Sequence, residues 1–214
     1  MDFKMVKDTE IRSWEEVQLV YNAALRQVST KIEILNEELQ QDRQYNPIEH
    51  VKSRIKSAES AVKKLKKDGY ESTIENMVQY VNDIAGIRVI CSFTSDIYRI
   101  ADMISGQADI KVLHVKDYIQ NPKASGYKSY HMLISIPVYL SDRIVDTKVE
   151  IQIRTVAMDF WATLEHKINY KFEGVIPERI KEELVECAMM VSDLDDKMLS
   201  LDTEVQKIKD EQMK

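Results

Sequence analysis

Apolar residues recur with a helical period in several parts of the chain. Over residues 14–41 they recur every three or four residues, which predicts an amphipathic N-terminal helix. A second helix is predicted over residues 57–68, with a serine cap, lysines in its last turn and Gly69 immediately after it. Three further helices are predicted: 73–81, 95–105 and 156–170. The last of these is expected to direct four side chains toward the core: Phe160, Trp161, Leu164 and Ile168.

Other segments alternate apolar and polar residues, which is the period of a half-buried strand. Four such strands are predicted: 86–93, 110–116, 131–138 and 146–155. A shorter strand, 51–56, would direct Lys52, Arg54 and Lys56 to one side, although Asn46 and the three residues after it also fit a helix start. These elements predict an α/β (α+β) domain with a mixed sheet of roughly five strands flanked by helices.

The last predicted element, after Pro177, is a long helix with a heptad seam. Its apolar positions are separated by alternating steps of four and three: Ile180, Leu184, Cys187, Val191, Leu194, Met198, Leu201, Val205 and Ile208. A helix that packs only on its own domain usually drifts from a strict seven-residue period, so we favour packing between subunits. A hairpin with helix 14–41 is the alternative. The chain therefore divides into a helical segment (1–45), a central domain (46–172) and a C-terminal oligomerisation helix (173–214).

Composition disfavours some classes of function. The formal net charge is −6, which argues against a general nucleic-acid-binding surface. Cys91 and Cys187 both fall in apolar patterns and are expected to be buried thiols in a reducing compartment. The N-terminus has no signal-peptide pattern, and no apolar run approaches the roughly 18 residues that a membrane span requires. A cytoplasmic protein without a membrane partner is expected.

Residues 149–155, Val-Glu-Ile-Gln-Ile-Arg-Thr, combine the strand period with informative polar chemistry. Their polar face presents Glu150, Gln152 and Arg154 about 7 Å apart. A carboxylate, an amide and a guanidinium on one rigid strand suit nucleotide chemistry, although most alternating strands are simply half-solvated. Asp83, just before another predicted strand, supplies a second acid. Asp83 and Glu150 could bind one divalent cation together with substrate phosphates.

A turn about 20 residues upstream of that strand, residues 125–131, carries an aromatic residue, a cation and a histidine: Ser-Gly-Tyr-Lys-Ser-Tyr-His. These segments, in this order, resemble the synthetase domain of the RelA/SpoT-type alarmone enzymes. The family's Gly-Tyr-Arg-Ser-x-His motif corresponds to residues 126–131, and its Val-Glu-Ile-Gln-Ile-Arg-Thr motif is intact. The resemblance extends from about Pro47 to Lys171 and implies a nucleotidyltransferase-like sheet.

The length indicates a small member of that family. The long alarmone enzymes also carry a metal-dependent hydrolase domain with a His-Asp motif, and this sequence of 214 residues contains no His-Asp pair. The resemblance therefore implies a single-domain synthetase without hydrolase activity. It would transfer pyrophosphate from ATP to the 3′-hydroxyl of GDP or GTP, release AMP and use Mg²⁺. The resemblance also implies a homo-oligomer, typically a tetramer.

Two other functions stay open at this point. A non-catalytic regulator could use the same fold to bind nucleotides or single-stranded RNA, but such a binder gains nothing from two acids beside a polyphosphate. A toxic relative that transfers pyrophosphate to tRNA would need an additional basic surface, which a net charge of −6 does not indicate. The sequence does not determine the preference between GDP and GTP, or any allosteric regulation.

The resemblance also implies roles for individual residues. Arg54 and Lys56 match an ATP-binding pair, and Arg88 is placed to reach the phosphates. Asp83 matches the Mg²⁺-binding acid. Glu150 matches the acid that activates the 3′-hydroxyl and assists with the metal.

The remaining assignments concern the acceptor nucleotide. Gln152 is expected to position the ribose, whereas Arg154 has either a role in the site or a buried structural ion pair. Tyr127 matches the tyrosine that stacks on guanine, and Asp159 is a candidate acceptor for the hydrogens on guanine N1 and N2. Four more residues are assigned to the guanosine nucleotide: Lys116, Lys123, Lys128 and His131. Lys116 and Lys128 replace common arginines, which keeps the charge and loses the bidentate fork.

Overall fold

Six strands and six helices make up the part of the chain that the structure, a computed structural model, describes: residues 4–6, 11–43, 46–171 and 176–212. The strands are β1 (Lys4–Val6), β2 (Ile48–Ile55), β3 (Ala85–Cys91), β4 (Lys111–Asp117), β5 (Tyr130–Tyr139) and β6 (Arg143–Thr155). The helices are α1 (Trp14–Arg43), α2 (Ala58–Lys67), α3 (Ile74–Tyr80), α4 (Thr94–Ser105), α5 (Val156–Lys171) and α6 (Glu178–Gln212).

The strands form one mixed sheet in the order β2-β3-β6-β5-β4, with β1 beside the first residues of β6. The central strand is β6, which pairs parallel to β3 along one edge and antiparallel to β5 along the other. Strands β2 and β4 are antiparallel to their neighbours. The predicted mixed sheet of roughly five strands flanked by helices is confirmed. Strand β1 is not predicted, because three residues are too few to show a period.

Strand register places one row of polar side chains across the sheet. Directly paired positions lie on the same face. The row crosses all five longer strands through these pairs: Lys52, Arg88, Gln152, His131 and Lys116. The intervening residues of β6 (Val149, Ile151 and Ile153) are fully buried, in one core cluster with apolar residues of α1 and α4. The sheet therefore has one face in the core and one polar face available to a ligand.

Strand β2 begins earlier than the sequence predicts and spans Ile48–Ile55. The alternative of a helix start at Asn46 is therefore wrong. Lys52 and Arg54 are exposed on the strand, as expected. Strand β2 ends one residue before Lys56, whose backbone N–H donates to the carbonyl oxygen of Ile84 at 2.8 Å. The Lys56 side chain forms an ion pair described below, and its place on one side with Lys52 and Arg54 stays a prediction.

Helix α2 begins and ends where its local signals predict. The hydroxyl oxygen of Ser57 accepts a hydrogen bond from the Ser60 amide at 3.2 Å. Gly69 follows the helix with φ +83°, a left-handed conformation that favours glycine. Nothing lies within 4 Å of a Cβ built at Gly69, so this position is strained for other residues only by its backbone.

Helix α5 has only part of its predicted core face. Trp161 is 6% exposed, and its indole N–H donates to the carbonyl oxygen of Leu184 in α6 at 3.0 Å. Phe160 and Leu164 are 59% and 41% exposed, so the prediction that they face the core is wrong. The reason is that α5 and α6 share only a small buried cluster: Trp161, Ala162 and Ala188. A narrow contact leaves the adjacent apolar positions in solvent.

The heptad seam of α6 is partly buried at its start and exposed afterwards. Leu184 and Val191 pack against the cluster under α5. Leu194, Met198 and Leu201 are 58%, 48% and 43% exposed. Helix α1 packs on the sheet and on α4, so within the described residues the two long helices do not form the alternative hairpin.

The two cysteines lie in different environments. Cys91 in β3 is fully buried, as predicted, and burial raises the pKa of its thiol. Cys187 is exposed, so the prediction of a second buried thiol is wrong. Among the helices of the described ranges, none is long and apolar enough to cross a membrane.

Candidate active site

Two polar cavities open beside the row of polar side chains, and Glu150 lines both of them. The β3 cavity, about 280 Å³, has these other charged and amide side chains in its wall: Lys52, Arg54, Arg88 and Gln152. The β5 cavity, about 220 Å³, has these polar and aromatic side chains in its wall: Asn82, His114, Lys116, Tyr118, Lys123 and His131. One carboxylate therefore stands between two cavities of mainly basic lining.

Glu150 is hydrogen-bonded to one neighbour, lies near a second and remains accessible. Gln152 Nε2 donates to Glu150 Oε2 at 2.9 Å, and His131 Nδ1 lies 3.9 Å from Glu150 Oε1. The Glu150 side chain is 24% exposed. A fixed and partly exposed carboxylate in this place can accept a proton from a group bound in either cavity.

Arg154 lies beneath these residues and is only 4% exposed. Its Nη1 is 3.1 Å from Asp159 Oδ1. Its Nη2 donates to Gln152 Oε1 at 2.9 Å and also to the Tyr127 hydroxyl. Arg154 belongs to the wall of neither cavity. Of the two roles that the sequence leaves open for Arg154, the contacts therefore support the buried ion pair.

Asp83 lies in the turn before β3, between two lysines. Lys56 Nζ is 2.7 Å from Asp83 Oδ2, and Lys64 Nζ is 2.7 Å from Oδ1. Burial by itself would raise the pKa of Asp83, but hydrogen bonds and charges from the two lysines outweigh it and hold that pKa below its ordinary value. The ionised carboxylate is thus neutralised by cations of the protein itself.

Asp83 and Glu150 fit the donor set of a divalent-cation site that a substrate completes. Mg²⁺ is usually held by one or two carboxylates together with phosphate oxygens and water. In the described residues no group of three or more His, Cys, Asp or Glu side chains is arranged to hold a metal unaided. Two carboxylates therefore suit a metal that arrives with a polyphosphate, provided that Asp83 gives up contacts with its lysines.

The β3 cavity presents arginines from two neighbouring strands. Arg54 and Arg88 both line it, and Arg88 Nη1 is 3.2 Å from Asp159 Oδ1. Burial and the charge of Arg154 lower the pKa of Arg88, but a guanidinium stays charged in proteins. Guanidinium groups bind phosphate through two hydrogen bonds and stack on flat rings. The cavity therefore suits a nucleotide with a polyphosphate.

Two tyrosines, a histidine and a lysine form a cluster at the β5 cavity. Tyr118 and Tyr127 meet edge to face with ring centroids 5.9 Å apart, and Lys123 Nζ lies 4.8 Å from both centroids. The His131 ring meets Tyr118 at 5.2 Å. Tyr118 is a candidate that sequence reasoning missed, because it stands in a loop without a period. The only signal for it was its proximity to Lys116 and Lys123.

His131 is a neutral imidazole near pH 7. Its pKa is lowered to about 3, because burial disfavours the charged form and Arg154, Lys123 and Lys116 repel it. His131 Nε2 lies 2.9 Å from the Tyr127 hydroxyl oxygen. His131 therefore offers hydrogen bonds, and no positive charge, to a molecule in the β5 cavity.

Five predicted site residues are not in the wall of either cavity: Lys56, Asp83, Tyr127, Lys128 and Asp159. Lys56 pairs with Asp83, and Asp159 pairs with two arginines. Lys128 donates to Ser192 on α6. Neighbouring residues of an extended segment point in opposite directions. Tyr127, the residue before Lys128, therefore points the other way, toward Tyr118 and Lys123 at the β5 cavity. The ligand contacts of these five residues stay predictions.

Comparisons with known proteins agree with this geometry. A sequence profile described as "Region found in RelA / SpoT proteins" matches residues 53–175. GTP pyrophosphokinase YwaC from Bacillus subtilis is 47% identical over 92% of this chain and 94% of its own length. The crystal structure of small alarmone synthetase 1 from Bacillus subtilis bound to its product pppGpp is 35% identical, with a TM-score of 0.83 over 90% of this chain and 98% of that chain. The same synthetase bound to AMPCPP is 33% identical, with a TM-score of 0.76 over 91% and 98%.

The mixed sheet, with a carboxylate between two basic cavities, is the architecture of a nucleotide-dependent transferase. The profile match spans the sheet from β2 to α5, and the identity to YwaC extends over most of both chains. The chain belongs to the RelA/SpoT family, and the structures that it resembles are small alarmone synthetases. The family resemblance seen in the sequence is confirmed.

Proposed function

We propose that this protein transfers pyrophosphate from ATP to the 3′-hydroxyl of GDP or GTP, releases AMP and so forms (p)ppGpp. The observation that carries the proposal is the position of Glu150, which lines both basic cavities. Two bound nucleotides would meet at this carboxylate. The name of YwaC and the nucleotides bound to small alarmone synthetase 1 support the same reaction.

ATP binds in the β3 cavity. Arg54 and Arg88 stack on the adenine or fork onto the phosphates, and Lys52 adds a point charge. The phosphates of ATP would also pair with Lys56 and Lys64, so that Asp83 would lose its ion pairs with these two lysines. Asp83 and Glu150 would then hold Mg²⁺, which neutralises charge on the polyphosphate when it is bound.

The guanosine nucleotide binds in the β5 cavity. Tyr127 supplies a ring face for guanine, and such stacking is worth roughly 1–3 kcal/mol per base. Lys116 and Lys123 neutralise the acceptor's phosphates, and His131 adds a hydrogen bond. Stacking does not discriminate between bases. Selection of guanine therefore requires hydrogen bonds to the edge of the base, such as those predicted between Asp159 and the hydrogens on guanine N1 and N2.

Glu150 acts as the general base. As the 3′-oxygen attacks the β-phosphorus of ATP, its proton passes to the Glu150 carboxylate. The bond between the β-phosphorus and the oxygen bridging to the α-phosphorus breaks, and AMP leaves with that oxygen. Positioning and charge neutralisation supply most of the rate in phosphoryl transfer, which fits two rigid basic cavities.

The reaction can be tested with ATP labelled in its γ-phosphate. Purified protein is incubated with GDP, GTP, GMP, tRNA or single-stranded RNA, and the products are separated. We expect label on the guanosine nucleotides together with an equal amount of AMP. Label on tRNA would support the tRNA-modifying alternative. Binding of nucleotide or RNA without any AMP would support the regulator and contradict the proposed transfer.

Removal of either acid should abolish synthesis without loss of the fold. Glu150→Gln keeps the shape of the side chain and removes the base, so we expect the rate to fall by about 10²–10⁴-fold. Asp83→Asn should lose at least as much. The matched control is Glu49→Gln, since Glu49 lies on β2 and accepts a hydrogen bond from Ser92 at 2.6 Å. A Glu150→Gln protein that keeps more than about a tenth of the rate would contradict the assignment.

A further inference from the structure

One nitrogen of the buried guanidinium starts two chains of contacts toward Glu150. The first is hydrogen-bonded throughout, and the second ends at a ring nitrogen 3.9 Å from the carboxylate. Arg154 Nη2 donates to Gln152 Oε1, and Gln152 Nε2 donates to Glu150 Oε2, each at 2.9 Å. Arg154 Nη2 also donates to the Tyr127 hydroxyl. That hydroxyl is 2.9 Å from His131 Nε2, and Nδ1 of the same ring is 3.9 Å from Glu150 Oε1.

The first chain has a fixed direction because an arginine can only donate. Gln152 must therefore present its carbonyl oxygen to Arg154, which leaves its NH₂ group toward Glu150. A carboxylate can only accept, so this is the amide orientation that holds Glu150 in place. With the amide reversed, two oxygens would face each other beside Glu150 and a donor would face the guanidinium.

The second chain sets the tautomer of His131 in the same way. The Tyr127 hydroxyl accepts from Arg154, so its single hydrogen is free for His131 Nε2. A neutral imidazole that accepts at Nε2 carries its hydrogen on Nδ1, which is the nitrogen nearest Glu150. At 3.9 Å this group is beyond hydrogen-bond distance, so Oε1 keeps its lone pairs for a ligand.

We infer that Arg154 is a positioning residue for the base: it fixes the Gln152 amide and the His131 tautomer so that both turn an N–H group toward Glu150. This role rests on the proposed function, in which Glu150 takes the proton of the 3′-hydroxyl. Arg154 itself touches neither cavity and acts through its neighbours.

A simple ion pair would not require these contacts. Arg154 meets Asp159 through Nη1 alone, and Asp159 has a second cation in Arg88 at 3.2 Å. The Nε group of Arg154 donates to Ser129 Oγ at 3.3 Å, away from Glu150. Only Nη2 donates to Gln152 and Tyr127. A lysine at this position keeps the charge but lacks the forked guanidinium, so it should retain the ion pair with Asp159 and lose the hydrogen bonds that orient Gln152 and Tyr127.

The test compares Arg154→Lys with Ser129→Ala. Loss of an outer contact to a reacting group typically costs about 10–100-fold, so for Arg154→Lys we expect that fall in kcat, with KM for ATP changed by less than about threefold. Ser129→Ala removes the contact to Nε and leaves Nη2 in place, so its kcat should stay within about threefold of the wild type. In a Gln152→Ala background, Arg154→Lys should cost much less than it does alone, because one chain is already broken.

A second readout does not depend on turnover. Nitrogen-15 NMR of the histidine rings, with His131 identified by a His131→Gln spectrum, should show hydrogen on Nδ1 in the wild type and in Ser129→Ala. In Arg154→Lys the Tyr127 hydroxyl is free to accept from the ring, so hydrogen should appear on Nε2. If Arg154→Lys does not fold, Tyr127→Phe keeps the ring and removes the same hydroxyl, and the same change is expected.

An unchanged tautomer in these variants, an unchanged kcat for Arg154→Lys, or full additivity with Gln152→Ala would each overturn the inference. Arg154 would then be a structural residue only. A wild-type protein that makes no pyrophosphorylated guanosine nucleotide would instead defeat the proposed function. The NMR experiment, done without substrates, would still decide whether Arg154 orients the ring.

Discussion

His131 affects the stability of the fold as well as the site. Its pKa is about 3 in the folded chain, against an ordinary value of 6.5. Between these two values the unfolded chain binds a proton that the folded chain does not. The stability that the neutral ring contributes is therefore present above about pH 6.5 and is lost as the pH falls toward about 3, by at most about 1.4 kcal/mol per pH unit.

Replacing His131 with glutamine should remove this loss. The free energy of unfolding, measured with urea in buffer without metal or nucleotide, should fall more steeply for the wild type than for His131→Gln between about pH 6.5 and about pH 5. The carboxylates contribute to both proteins and cancel in the difference. Parallel pH curves would show that the imidazole is charged in the folded chain.

Tyr127→Ala should weaken the guanosine nucleotide and leave ATP nearly unaffected. A lost stack of roughly 1–3 kcal/mol corresponds to about 5- to 150-fold in affinity. Calorimetry with GDP and with a non-hydrolysable ATP analogue measures the two nucleotides separately. Tyr139→Ala is the control, because Tyr139 is 65% exposed at the far end of β5. Equal losses for both nucleotides would point to a role in folding the loop.

At the scale of elements, α6 packs directly on the loop that carries Tyr127. Gly126 has φ +85°, and a Cβ built on it would lie 2.4 Å from the Cβ of Ala188 in α6. Lys128, two residues later, donates to Ser192 of the same helix. The conformation of the loop that carries Tyr127 therefore depends on where α6 lies.

Gly126→Ala should disturb acceptor binding more than its backbone strain explains. Gly69→Ala is the matched control, since Gly69 has nearly the same φ of +83° but nothing within 4 Å of a built Cβ. Each alanine should cost about 1–2 kcal/mol of backbone strain in urea unfolding, and Gly126→Ala should cost more because its Cβ also meets Ala188. Only Gly126→Ala should also weaken GDP binding, and Ala188→Gly should partly restore it. Equal effects of the two alanines would show that contact with α6 is unimportant.

The sequence predicted those features that depend on residues close together in the chain. The bounds of α2 depend on its own cap and on Gly69, so local pattern was sufficient. The polar face of β6 followed from its period, and the family motifs added the loop and Asp83. The register that aligns Lys52 with Lys116 across the sheet involves pairings between distant segments, which no local period contains.

The errors share that cause. The start of β2 at Ile48 was missed because it depends on pairing with Cys91 in β3. Phe160 and Leu164 have the spacing of a core face, but no second layer covers them. A contact that no local pattern predicts joins Lys128 to Ser192, which are 64 residues apart in the chain. The predicted nucleotide contact of Lys128 stays a prediction.

For the whole molecule, the exposed half of the α6 seam is the surface proposed to join subunits. Leu194→Asp with Leu201→Asp would bury charge in that apolar interface at a cost of several kcal/mol, so we expect smaller species by light scattering than the tetramer expected for the wild type. Met190→Asp is the control, because Met190 is 59% exposed and lies outside the seam. A wild-type chain that is monomeric at micromolar concentration would contradict the proposal.

Of the residues that the structure describes, Glu150 is the one that stands in the walls of both cavities. Two nucleotides that meet at one carboxylate need no carrier residue, so we expect the pyrophosphate to pass directly from one nucleotide to the other. Initial-rate plots should then give intersecting lines, and a chiral β-phosphorus should be inverted once. Such an enzyme makes product only while both nucleotides are bound. Its output in the cell therefore depends on the two nucleotides being present together, and binding of either one alone leaves no covalent intermediate behind.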